Sequence, residues 1–95
     1  MTRDQLTPGQ KAGAGLTPDF FDTRGWSCGM AVWTAESALA PNPGRYGWDG
    51  GFGTSWANDP TSRLIGIMMT QSAAYYVAAT PFTDFWAAAN GAASA

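Results

Sequence analysis

Arg45-Tyr-Gly-Trp-Asp-Gly-Gly-Phe-Gly-Thr-Ser-Trp-Ala-Asn-Asp59, running on into Pro60-Thr-Ser-Arg-Leu-Ile-Gly-Ile-Met-Met-Thr-Gln71, is the stretch that decides how this chain folds. Gly47, Gly50, Gly51 and Gly53 are interleaved with bulky aromatic residues. Glycines placed so strip side chains from one surface, and another backbone or a ligand can approach it. Phe52 through Asn58 is predicted to run as a strand. Asp59-Pro60-Thr61-Ser62 fits a type I turn, with Asp at the first position and Pro at the second. The strand predicted from Arg63 to Gln71 carries five large apolar residues in a near-continuous run, the pattern of a strand covered on both faces. A link this short makes the two strands an antiparallel hairpin.

Working outward, Pro41-Asn42-Pro43-Gly44 marks a turn. Before it, Gly25–Thr34 reads as a single strand, with Trp26, Cys28, Met30 and Val32 on one face by period two. On that face Cys28 is expected to be a buried structural thiol. Residues 1–24 are polar and broken by proline and glycine. They read as a loop, in which Thr7 as N-cap and Pro8 at the first position can open a short helical turn. Towards the C-terminus, residues 72–80 are ambiguous. Thr80-Pro81 then starts a helix, with the threonine hydroxyl as N-cap. Phe82, Phe85, Trp86 and Ala89 share its apolar face, and Asn90-Gly91 ends it. The expected fold is α+β: an antiparallel three-stranded meander with a C-terminal helix on one face. Residues 1–24 form its polar N-terminal segment and residues 25–95 its sheet-and-helix portion.

Composition removes several functions. Ninety-five residues make one small domain or part of a larger one. Charged residues are scarce at 13%, with a net charge of −2, so no basic stripe is available for nucleic acid or for an anionic membrane surface. The absence of histidine takes away imidazole catalysis and most zinc chemistry, and no metal site is expected. Cys28 is the only cysteine, so there is no internal disulfide framework. No apolar run reaches membrane-spanning length, and the N-terminal residues lack the apolar core of a signal peptide. The chain is therefore expected to be cytoplasmic. The glycine-rich stretch has no following lysine and leads into a strand, unlike a phosphate-cradling loop. The only lysine, Lys11, has no serine three residues before it.

Tyr46-Gly-Trp-x-Gly-Gly, then Asp59-Pro60, then Leu64-Ile-Gly-Ile-Met-Met-Thr-Gln71 resembles the C-terminal end of the serine beta-lactamase-like hydrolases. These include class C beta-lactamases, carboxypeptidase-type penicillin-binding proteins and related esterases. The resemblance is dense over the 26 residues Tyr46–Gln71 and extends more thinly over most of the chain. It implies a central antiparallel sheet flanked by helices and acyl transfer to serine, followed by hydrolysis of a lactam, a D-Ala peptide or a small ester. It implies no organic cofactor. Trp48-Asp49-Gly50 looks like the family's third active-site motif in its Trp-x-Gly form. By that resemblance Gly51 donates its backbone N–H to the oxyanion hole, and Trp48 and Gly50 contact substrate. A fixed backbone donor beside a residue with no side chain suits that role. The Asp49 side chain, on the alternate face of the strand, is expected to point away from the pocket.

The departures from the family are substantial. No serine begins a Ser-x-x-Lys, and none of Tyr46, Tyr75 and Tyr76 begins a Tyr-x-Asn. Without the nucleophile and its base the chain is expected to be inactive alone, as the last portion of such a hydrolase begun at an internal methionine. Its expected partners are the missing N-terminal part of that fold or a second copy of itself. The single helix leaves one face of the Leu64–Gln71 strand bare, and bare apolar strands associate. The alternative is a small aromatic-rich binding or protein-interaction module, built on five tryptophans and three tyrosines.

Overall fold

The antiparallel hairpin expected across Asp59–Ser62 forms, its first strand starting at Thr54 rather than Phe52, and it is preceded by a strand over Tyr46–Gly50 that the three-strand expectation did not include. In the computed structural model, which describes residues 1–15, 19–72 and 80–94, β3 (Tyr46–Gly50) and β4 (Thr54–Asp59) pair in antiparallel fashion across Gly51–Gly53. β4 then pairs with β5 (Leu64–Met69) across Pro60–Arg63. Asp59 builds this second turn: its carboxylate accepts from the backbone N–H of Thr61 at 3.0 Å and of Ser62 at 3.3 Å. Arg63 closes it in the left-handed region, at φ 59°, so the strand starts one residue later than expected.

Among the described residues the sheet has five strands in sequential order, not three. One added strand is β3; the other comes from the Gly25–Thr34 stretch, which is a hairpin of β1 (Arg24–Trp26) and β2 (Ala31–Trp33) rather than one strand. Gly29 turns the chain at φ 115°, and the Ser27 N–H donates to the Met30 carbonyl at 2.9 Å. Period-two alternation continues unchanged through a tight turn, so the pattern alone cannot reveal the reversal. The expected face of Trp26, Cys28, Met30 and Val32 therefore does not exist. Trp26 lies opposite Ala31, and Cys28 is exposed at the hairpin tip rather than buried. β2 pairs with β3 only through Ala31–Gly47 and Val32–Tyr46, which leaves β3 without a strand neighbour on that side from Trp48 onward.

The N-terminal segment holds the short helix α1 (Pro8–Ala12), opened by Thr7 as expected. Thr7 Oγ1 accepts from the Gln10 N–H at 3.2 Å, and Gln10 Oε1 accepts from the Thr7 N–H at 2.8 Å. That reciprocal pair is a capping box. The residues before it run beside β1. The Gln5 N–H donates to the Trp26 carbonyl at 2.8 Å, the Trp26 N–H to Asp4 Oδ1 at 3.2 Å, and the Cys28 N–H to the Met1 carbonyl at 3.3 Å. Lys11 pairs with Asp4 at 2.6 Å.

α2 (Thr80–Ala93) packs on one face of the sheet over β5. Phe82 and Trp86 are buried, while Phe85 is half-buried with its ring edge-on to Trp86. Gly66 makes the close approach possible, since a Cβ there would lie 2.4 Å from the Trp86 ring. The helix does not stop at Asn90-Gly91. Asn90 Nδ2 instead donates to the Leu39 carbonyl at 3.0 Å, and Gly91 does not take the left-handed conformation of a helix terminator. Residues 73–79 of the Ala- and Tyr-rich stretch, and the expected capping hydroxyl of Thr80, lie outside the described residues.

Among the described residues the buried apolar core is Ala31, Val32, Ala40, Ala57, Phe82 and Trp86. β5 is covered on one face, not two. Its inward residue Gly66 is buried, while Ile65, Ile67 and Met69 are 67%, 61% and 80% exposed. No helix among the described residues is long and apolar enough to cross a membrane.

Candidate functional site

Trp48 and Gly51 line a cleft of about 220 Å³ at the open edge of β3, together with Phe20, Trp33 and Arg24. Trp48 is half-exposed and held by aromatic edges rather than by the core. Its ring meets Trp26 at 5.0 Å and Phe20 at 6.5 Å, both edge-to-face. Such contacts fix a ring's direction while leaving one side open. Among the described residues no hydrogen bond engages the Gly51 backbone N–H. Gly50 does not line the cleft; it opposes Thr54 in the β3–β4 ladder. The structure thus brings Trp48 and Gly51 together and leaves Gly50 in the sheet.

Asp49 does not point away from the cavities, as the Trp-x-Gly alternation led one to expect. It lines this cleft and a larger cavity next to it. Beyond Gly47, β3 has no partner from β2, so a cleft at that bare edge can be walled by side chains from both faces of the strand. Asp49 opposes Ser55 across the hairpin and accepts a hydrogen bond from its Oγ. Ser55 Oγ in turn accepts from Trp86 Nε1 at 2.8 Å. This chain of contacts ties α2 to the centre of the sheet. With its hydroxyl engaged twice and 2% exposed, Ser55 is a structural serine and not a nucleophile.

The larger cavity, about 530 Å³, lies between the sheet and α2. Arg45, immediately before β3, is 4% exposed. Its guanidinium is flanked by the Trp86 ring at 4.1 Å and the Trp33 ring at 4.9 Å, and Nη1 donates to the Leu39 carbonyl. Cation–π contact compensates part of the lost hydration. Burial pulls the Arg45 pKa below the usual arginine range, and the charges of Asp49 and Asp59 draw it part of the way back. Arg24 stacks on Phe20 at 4.2 Å and lines both cavities. Burial pushes the Asp59 carboxyl up, but hydrogen bonds from Asn42, Ser62 and Thr61 outweigh it, and its pKa lies below the usual value.

The sequence singled out Trp48 and Gly51, which both line the cleft, but not Arg45, Arg24 or the Asp49–Ser55–Trp86 chain. The one legible signal was hairpin register, since a turn at Gly51–Gly53 places residues 49 and 55 opposite each other. Nothing local marks Arg45 as buried. Among the described residues no cluster of acidic and cysteine side chains could hold a metal ion. No family model, curated protein or solved structure matches the chain.

Proposed function

We propose that the chain supplies the pocket-wall strand of a beta-lactamase-like serine hydrolase, inactive alone, with nucleophile and base contributed from outside these residues. The observation that supports this reading is the meeting of Trp48 with an unbonded Gly51 N–H on one cleft, at a strand edge left open. A backbone donor at an open edge can serve a developing oxyanion without reorganisation. Trp48 would wall the substrate, and Gly50 keeps the strand slim beside it. The parent reaction is attack of a serine on a lactam, peptide or ester carbonyl, then hydrolysis of the acyl-enzyme. The partner is the N-terminal part of that fold.

The test is complementation. The chain alone turns over neither nitrocefin nor p-nitrophenyl acetate above background. Mixed with a separately expressed N-terminal portion of such a hydrolase, it restores ester hydrolysis. In the reconstituted enzyme Gly51→Val lowers kcat/KM by about 10²–10³-fold, the cost of a lost oxyanion donor. Turnover by the chain alone that vanishes with one of its own serines overturns the reading, as does complementation indifferent to Gly51→Val.

The exposure of Trp48 at 49% and Phe52 at 85% supports a second reading, an aromatic binding module. Sugar or peptide binding by the chain alone, with no complementation, favours it.

A further inference from the structure

We infer that the cavity between the sheet and α2 binds a small monocarboxylate carried on an apolar body. The inference is independent of the hydrolase reading, because it concerns binding and uses neither Gly51 nor any nucleophile.

Arg45 carries the argument. It is almost fully buried, yet its Nε is a buried donor with no hydrogen-bond partner. The single ion pair among the described residues is Lys11 with Asp4, so no described carboxylate lies within 4.0 Å of either Arg45 or Arg24. Asp49 and Asp59 act on Arg45 only from beyond ion-pair distance, and buried polar groups in native proteins are nearly always satisfied, so the orphaned Nε–H is unfavourable. The two tryptophan rings cover the guanidinium faces but cannot replace a hydrogen-bond acceptor at its edge. Arg24, half-buried, lines the same cavity, with its Nε donating to the Phe20 carbonyl at 3.2 Å. Two guanidinia therefore share one cavity of small-molecule size, and neither forms an ion pair with a described carboxylate.

The walls select the anion. Asp19 and Asp22 stand exposed on the lining, and the Asp49 carboxylate is held by Ser55. Three carboxylates against two guanidinia give the lining a net charge of −1, counted as two minus three. A dianion such as a phosphate monoester meets repulsion there, whereas a monoanion can sit between the arginines. Trp33, Leu39 and Phe82 supply apolar wall for the rest of the ligand.

The probe is phenylacetate, with phenylacetamide as its neutral isostere and phenyl phosphate as the dianion. Binding to the full chain is read from the indole N–H resonances of Trp33 and Trp86, and from the melting temperature, which a ligand of the native state raises by mass action. Phenylacetate should shift both indole signals saturably and bind at least about ten-fold tighter than either control. Arg45→Met should lose at least about ten-fold in phenylacetate affinity while keeping a cooperative melt, since replacing a buried charge by an apolar residue of similar volume is well tolerated. Arg24→Gln should lose several-fold, and Arg63→Gln, far along the chain at an exposed turn, should bind as the parent does. Equal affinity for phenylacetamide overturns the inference. So does unchanged binding by Arg45→Met, or phenylacetate that moves neither the indole signals nor the melt.

Discussion

Asp49 stands between Trp48 and Gly50, where the expected Trp-x-Gly motif would give its identity little weight. Its carboxylate nevertheless anchors Ser55, and through Ser55 the indole of Trp86. Asp49→Ala should therefore destabilise the fold by about 1–3 kcal/mol, the cost of stranding a buried hydroxyl, as read from urea denaturation. Arg45 behaves in the opposite sense. Arg45→Met should be neutral or stabilising in the same assay, because the charge it removes is buried without a direct ion pair and with an unsatisfied Nε–H. Neither residue announces its role in the sequence. Asp49 and Ser55 meet only through hairpin register, and a buried arginine has the same local pattern as an exposed one. Trp48 and Gly51 could be singled out in advance because a spacing is readable without tertiary structure, and the structure places both on one cleft.

The elements that could be read in advance are those set by local chemistry. Thr7-Pro8 opens α1, Asp59-Pro60 turns β4 into β5, and helix α2 includes Pro81, because proline geometry and side-chain acceptors act over a few residues. The β1–β2 hairpin escaped because one Gly29 with positive φ interrupts an alternation that looks continuous. The β4–β5 turn also carries a pH signature. The folded pKa of Asp59 is lowered, so its stabilising contribution is complete above the ordinary aspartate value of about 3.9. It is lost as pH falls below that value and through the folded pKa. Asp59→Asn should lower the melting temperature at pH 7, and the gap to the parent should narrow in melts recorded towards pH 3. On β5, Gly66→Ala should cost about 1–3 kcal/mol by overpacking against Trp86, measured in the same way.

At the scale of the whole molecule, the bare row of Ile65, Ile67 and Met69 dominates. It was legible as an apolar run too continuous for one helix to cover; which face stays bare depends on where α2 docks. Sedimentation should show concentration-dependent association, and the double change Ile65→Lys, Ile67→Lys should shift the chain towards 10.0 kDa monomer. The two ends of the sheet are not alike. Residues 1–5 lie along the outer side of β1 through the bonds from Gln5 and Cys28 and to Asp4, whereas no described residue pairs with the outer side of β5. That asymmetry sets a stoichiometric ceiling. When two copies join strand to strand at β5, the contact is self-complementary and consumes the one end of the five-strand order that no described residue covers. Growth halts at a pair, and mass should plateau at twice the monomer however concentrated the solution. Deleting Met1–Gln5 uncaps the opposite rim, turns a terminating contact into a propagating one, and should convert the plateau into open-ended fibrillation.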